Sequence, residues 1–425
     1  MSLLKINIKR INKLELLFII ITVVCVTRKI YMYTDNIFFT NAKAMVWIIS
    51  SYFISPRRLD NYNLRKTMKY FCIPFVCMIA YTVVLWLLFG VEGLGTTFRY
   101  YTRLGSNFLW LFIMVWYAYR ALIVFGDRAL YLYTVSLEIS YVCFAIIPAV
   151  LFGSFHDIIL FLLGKEDTTV SARCLEVNDV SFALGIIAIA YLVRMKKINK
   201  KQMNTLFGLA FLIFMGGKRI EYLAIFVGIV FYFIIVKMIN TRHVYLVSAI
   251  TIISVSFAFF WLLYSGELDK IANMYGINFN YRLDTWSYWT ELSKFSPTYL
   301  GLGSSYVDKE TSLLVAESGI LVYGHVLLNG MHGDLLKKYV ELGFWGCFVW
   351  LYYISYYRVK KFHKKYGKEA GKTALIIMIY MFVLYFTDNS FDYFDTNVAM
   401  ILAMCSFAFK DNATETYVEN YSRGF

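Results

Sequence analysis

Residues 243–264 read HVYLVSAITIISVSFAFFWLLY, a run without a single Lys, Arg, Asp or Glu. A helix needs about 20 mostly apolar residues to cross the ~30 Å hydrocarbon core of a bilayer. This stretch therefore predicts a transmembrane helix. Working outward, similar stretches recur at about 13–33, 36–54, 69–90, 106–125, 129–153, 178–194, 203–217 and 219–237 upstream, and at 339–357, 373–387 and 392–410 downstream. The expectation is an all-α, polytopic bundle of about twelve transmembrane helices. Residues 1–264 carry the first nine spans and 339–410 the last three, with 411–425 as a cytoplasmic tail. The first stretch, Leu14 to Val26, is followed by Arg28 and Lys29 rather than a small-residue cleavage site, so it reads as a retained helix.

Composition agrees. The chain is 59% hydrophobic and only 16% charged, against about 25% charged in average soluble proteins. The net charge of +14 invites a nucleic-acid reading, but that requires a basic face on a soluble fold. Here the basic residues sit in short runs between apolar segments, as topology demands. With the N-terminus inside, most Lys and Arg fall on the cytoplasmic side, among them Lys196, Lys197, Lys200 and Lys201, and the run from Arg358 to Lys372. Asp and Glu fall mainly outside. The positive-inside rule then places both termini in the cytoplasm. The seven cysteines are scattered without a CxxC, so neither a disulfide framework nor a zinc site is indicated.

One connector is too long to be simple: residues 265–338, on the extracytoplasmic side. Loops of this length are functional or disordered, and Trp286, Trp289, Phe295, Tyr299 and Tyr306 argue for folding. Short helices lying over the bundle are expected. Three groups of residues at this side can do chemistry. Gly217-Lys218-Arg219-Ile220-Glu221 puts charges at the mouth of a span, where they are expensive and usually functional. Snorkelling is the plainer alternative. Tyr281-Arg282-Leu283-Asp284-Thr285-Trp286 places Arg282 and Trp286 four apart on one helix face, suited to a phosphate and a stacked sugar, or to a surface cation–π contact. Trp289 extends the aromatic set. Downstream, Gly301 and Gly303 fit a tight turn or a close backbone approach to a ligand. The third group is Met331-His332-Gly333-Asp334 running on to Glu341. Its histidine can act as base or hydrogen-bonding group near neutral pH; His325 is a competitor. Arg99 and Arg103 add positive charge in the second outer loop. Glu138, midway along the fifth span, reads as a buried hydrogen-bonded carboxylate. Glu267-x-Asp269 is a weak metal pair, and no zinc, P-loop or Ser-His-Asp pattern occurs, so neither a metal nor a cofactor is expected.

These residues together resemble the bacterial O-antigen and capsular polysaccharide polymerases of the O-antigen polymerase and ligase superfamily. The resemblance covers roughly 175–346. It rests on Gly217-Lys218-Arg219 opening a helix, on Tyr281-Arg282-x-x-x-Trp286 followed by Pro297 and Gly301-Leu302-Gly303, and on His332 with Glu341, Gly343 and Gly346. Gly333 stands where the family usually has Asn, and Lys218 where a small hydroxyl residue is common. The family implies a GT-C-type membrane glycosyltransferase at the outer face of the cytoplasmic membrane. It would move glycan from undecaprenyl diphosphate onto a hydroxyl of another lipid-linked repeat unit, without a metal, in company with a flippase and a chain-length regulator. On that resemblance His332, Arg282 and Arg219 are the catalytic candidates. Lys218, Glu221, Tyr281, Asp284, Trp286, Trp289, Gly303, His325, Asp334, Glu341, Arg99 and Arg103 are the substrate-binding ones. Lipopolysaccharide ligase and polysaccharide flippase or transporter are the alternatives.

Overall fold

The computed structural model describes residues 12–31, 37–54, 62–152, 155–162, 175, 177–194, 200–233, 241–277, 279, 282–319, 321–322, 325–326 and 331–409. Within them the chain is helical almost throughout. Its helices are α1 (Lys13–Tyr31), α2 (Ile37–Ile54), α3 (Tyr62–Phe89), α4 (Thr97–Phe125), α5 (Arg128–Tyr141), α6 (Ile147–Phe152), α7 (Phe155–Leu162), α8 (Asn178–Arg194), α9 (Lys200–Met215), α10 (Arg219–Phe231) and α11 (Thr241–Tyr264). Then come α12 (Glu267–Tyr275), α13 (Arg282–Leu292), α14 (Tyr306–Ser318), α15 (Asp334–Tyr352), α16 (Arg358–Tyr385) and α17 (Phe394–Cys405). The two-residue strands Leu321–Val322 and His325–Val326 form an antiparallel pair.

By length and composition, four helices are able to cross a membrane: Leu64–Phe89, Thr97–Phe125, Arg128–Leu151 and His243–Tyr264. Ala44–Phe53, Asp179–Val193, Thr205–Met215 and Phe394–Phe409 are shorter apolar helices. Large apolar side chains also point outward around the bundle, with Phe53 at 88% exposure and Leu87 at 73%. A water-soluble surface does not carry that many; a hydrocarbon surround does.

The polar run between the expected spans at 339–357 and 373–387 is not a loop. Helix α15 continues through a π-helical turn, Tyr353–Tyr357, into α16, and the chain reverses only at Gly367, whose φ is +84°. The lysines of 360–372 therefore decorate two helix ends around one tight turn, while Arg358 is buried against Phe71 and Met378.

The centre of the bundle is α8 against α17, with α16 beside both. Helix α8 is apolar on every side and buried along most of its length, as a helix ringed by other helices must be. Its first turn carries Asp179, which accepts hydrogen bonds from the Asp395 N–H at 3.1 Å, the Thr396 N–H at 2.8 Å and the Thr396 hydroxyl at 2.9 Å. One carboxylate thus satisfies the open amides at the start of a neighbouring helix.

The described residues between 265 and 338 do fold, as α12, α13, α14 and the small strand pair. They sit on the end of the bundle where α11 finishes and α15 begins, here termed the loop face. What fixes them is the segment 299–305, which inserts between α3 and α15. The Leu302 and Gly303 amides donate to the Val340 and Glu341 carbonyls at 3.0 and 2.8 Å, and the Phe344 amide donates back to the Tyr299 carbonyl at 3.0 Å. From the other side Tyr81 donates to the Leu300 carbonyl at 2.6 Å and Trp86 to that of Leu302 at 2.7 Å. The insertion is possible because α15 breaks at Gly343, with φ +70° and ψ −174°. The break diverts the Phe344 N–H, which in an unbroken helix would point back to Val340, onto the loop.

Candidate functional site

At the loop face the start of α15 gathers residues from four parts of the chain. His332 precedes the helix in a left-handed conformation, φ +46°, which is uncommon for a non-glycine residue though histidine is among those that adopt it. Its neighbours hold it there. Trp286 donates from Nε1 to the Met331 carbonyl at 3.0 Å, and the Asp334 amide donates to the Asp388 carbonyl at 3.1 Å. The turn is thus pinned by α13 on one side and by the 386–393 connector between α16 and α17 on the other. Backbone strain of this kind persists only where surrounding contacts determine it.

The imidazole is half-buried, and its Nδ1 is buried with no hydrogen-bond partner. Burial holds its pKa below the ordinary value of 6.5; the Arg282 and Lys218 charges push it the same way, and Asp388 opposes them. Lys218 caps α10 and Arg282 opens α13. The structure therefore brings together His332, Arg282 and Lys218 from three distant motifs, with Arg219 exposed beside Lys218. A neutral histidine next to fixed cations is suited to taking a proton while negative charge accumulates nearby.

The other expected residues divide. Glu221 is fully buried one turn into α10, where it accepts a hydrogen bond from Ser181 of α8 and lies against Gly185 and Tyr380. It joins helices instead of meeting the loop face. Trp286 and Trp289 are also buried, at 1% and 0% exposure. Neither presents a face for a sugar: Trp286 packs edge-on to Phe259 and Phe279, and Trp289 to Tyr288 and Tyr306. Gly303 serves Trp86, whose ring occupies the space where a side chain would stand, and the amides expected to approach a ligand bond α15. Asp284 is half-buried on α13 and Glu138 half-buried on α5. Tyr281 lies outside the described residues, as does the side chain of His325.

Asp334 and Glu341 belong to a second cluster on the opposite side of α15. Lys337 reaches Asp308 of α14 and Asp392 of the connector, each at 2.8 Å. Lys338 pairs with Glu341 at 3.0 Å, and Glu341 also accepts the Ser305 amide at 2.7 Å. Asp334 is fully buried and accepts the Phe391 amide at 2.6 Å. Burial, with Asp392 nearby, raises its pKa well above the usual carboxylate range, although Lys337 works against this. For Lys337 the order reverses: burial favours the neutral amine, but Asp308 and Asp392 outweigh it and hold the ammonium charged. Arg103 of α4 is half-buried, its charge acts on Asp392, and its Nε is buried without a partner; Arg99 is exposed.

Sequence reasoning missed Asp388, Asp392, Lys337, Lys338 and Asp308. A signal was present: Asp388 and Asp392 fall within one short connector after an apolar stretch, where carboxylates have no reason to collect unless they meet cations. Among the described residues no three His, Cys, Asp or Glu side chains converge as metal ligands would.

Beside the histidine station runs an apolar groove of about 480 Å³ between α10, α11 and α16. Ile220, Leu223, Val227, Val255, Ile379 and Phe382 wall it. Its upper end, at Ile220 and Thr387, adjoins Arg219 and Asp388 in the chain. From Ile220 to Phe231 it follows α10 for about 16 Å of helix rise, comparable to half the hydrocarbon core.

No protein-family model matches the chain, and no curated protein matches it. The resemblance to polysaccharide polymerases rests on the motifs themselves.

Proposed function

We propose that this protein is a membrane glycosyltransferase that extends a polysaccharide, moving glycan from a polyprenyl diphosphate carrier to a hydroxyl of another lipid-linked repeat unit. The observation that carries this reading is the meeting of an apolar, tail-width groove with a cation–histidine station at its upper end. A lipid diphosphate has that polarity: a long apolar chain, then concentrated negative charge, then sugar. The tail would lie along α10 and α11, the diphosphate against Lys218, Arg219 and Arg282, and the acceptor hydroxyl against His332. Arginine suits a departing diphosphate because its planar fork donates two parallel hydrogen bonds. Stabilisation that grows as charge develops on the leaving group lowers the barrier, not merely the binding energy. In this reading the bundle has twelve spans, both termini are cytoplasmic, and the loop face is extracytoplasmic, with a GT-C-like arrangement of substrate between helices and loop. A flippase reading would need charges deep along several helices, whereas the station lies at the rim.

The direct test is purified protein in proteoliposomes supplied with undecaprenyl-diphosphate-linked repeat unit. Ladders of lengthening glycan support the proposal; a substrate that comes back unextended, under conditions where the protein is folded, removes it.

The histidine predicts a pH dependence. Its pKa lies below 6.5, so at pH 7 the neutral, proton-accepting form prevails. Extension should fall as the medium is acidified, with a midpoint below 6.5, because protonation removes the base. Asp388 is the one charge named here that raises the value, so Asp388→Asn should move the acid midpoint further down. A pH–rate profile measures both. An unmoved midpoint in the variant would show that Asp388 does not act on His332.

A further inference from the structure

We propose that the cleft on the far side of α15 from His332 is a second carbohydrate subsite, taking hydroxyl groups of the acceptor glycan. This rests on the transfer reading above, and it names a place for the second substrate, which that reading requires but does not locate.

The cleft lies between α3, α4, α14 and α15, and Lys337, Asp308, Asp392, Asn107 and Ser304 line it. Three features set it apart from an ordinary buried ion pair. The first is its asymmetry. Lys337 is 3% exposed, while the two carboxylates that hold it are 17% and 33% exposed. Each spends one oxygen, Oδ2, on the ammonium. The cation is locked inside and the acceptors stand toward the opening. Carboxylates fixed in this way are strong acceptors for hydroxyl donors, and one ammonium shared by two carboxylates leaves a net negative charge that hydroxyl donors would help to satisfy.

The second feature is space joined to an unsatisfied group. The enclosed part measures about 30 Å³, against the ~10–15 Å³ that one water requires. It holds one or two hydroxyl-sized groups and no more. The Ser304 hydroxyl, on a side chain buried to 7% exposure, faces this space with no hydrogen-bond partner. Its neighbour Ser305 is by contrast fully engaged, with its amide on Glu341 and its hydroxyl accepting from Asn107 at 2.8 Å. A buried hydroxyl left open beside a fixed carboxylate pair is the arrangement that a vicinal pair of sugar hydroxyls completes.

The third feature is a route. Arg99, Arg103 and Asn107 are spaced four apart on α4 and so share one face. They run from an exposed residue through a half-buried one to the cleft itself. This polar stripe begins at the loop face, where glycan would arrive. Lys337 lies in the first turn of α15 and His332 two residues before the helix begins, so the two stations flank the same helix start.

The test uses the full-length protein in nanodiscs with undecaprenyl-diphosphate-linked repeat unit. Ser304→Ala removes the open hydroxyl without adding bulk. The expected result is a rise of about tenfold in KM for extension, the scale of one lost hydrogen bond with its partner left bare, with kcat and thermal midpoint kept. Asp392→Asn should move KM in the same direction. A fall in thermal midpoint with KM unchanged would overturn the proposal and leave the cluster a purely structural ion network. If the wild-type protein extends nothing, the transfer reading fails. The cleft is then judged by titrating soluble oligosaccharides, cut from the native polymer, against the fluorescence of Trp110, which donates to the Asp392 carbonyl at 3.0 Å. Binding that is lost in Ser304→Ala sustains a carbohydrate site, and equal or absent binding in the two proteins ends it.

Discussion

Arg282→Ala and His332→Ala should each stop glycan extension while leaving the protein folded in the membrane. Removal of a preorganised donor to a developing charge typically costs about 10²–10³ in rate, and loss of a positioned base about 10²–10⁴. Arg282 opens α13 and is half-buried, so its truncation leaves no large cavity. His332 is held by backbone contacts on both sides, through Met331 and Asp334, so the imidazole itself supports little structure. Arg282→Lys separates charge from geometry: a lysine keeps the positive charge and loses the bidentate fork, and should recover only part of the rate. Product ladders resolved by gel, normalised to protein in the membrane, measure all three. Full-length ladders from both alanine variants would remove the proposed station.

The second large effect is structural. Gly343→Ala should abolish folded protein. Its φ of +70° lies where side-chain-bearing residues are strained, and a Cβ there would stand 2.3 Å from the Leu300 carbonyl carbon and the Tyr299 oxygen. These are backbone atoms of the inserted segment and have nowhere to move. Gly301, φ +90°, meets the Gly343 amide at 2.4 Å from the reverse direction, so Gly301→Ala should have the same outcome. Gly90 is the control. It also has positive φ, +77°, but a Cβ there meets nothing within 4 Å. Gly90→Ala should cost about 1–3 kcal/mol of strain alone, whereas the two buried glycines add a clash. Thermal unfolding followed by size-exclusion fluorescence distinguishes the three. A Gly343→Ala protein with a wild-type transition would refute the interlock.

The sequence announced its helices because apolar length is a direct consequence of bilayer thickness. The stretch 178–194 reads as a span and is α8 with those bounds. The stretch 339–357 reads as a span, and the helix that carries it, α15, begins five residues earlier at Asp334. Lys337 and Lys338 disguised its start, because a charge count cannot know that Asp308, Asp392 and Glu341 neutralise them. His332 and Arg282 were legible as chemistry because both are reactive types at a span boundary. Trp286 and Trp289 were misjudged: an aromatic in a loop reads as a sugar platform, yet Trp286 is needed to hold the Met331 carbonyl. Asp388 escaped because it acts from a connector more than fifty residues away from the histidine, a proximity that periodicity cannot reveal.

The interlock at Gly343 also bears on how the protein is made. The segment 299–303 leaves the ribosome before α15, and α15 cannot satisfy its broken turn without it. Exposed amide and carbonyl groups are costly in hydrocarbon. The loop must therefore dock on α15 before that turn is satisfied. Docking of the loop and completion of that helix become one event, and a loop that fails to fold leaves a helix with an unsatisfied turn.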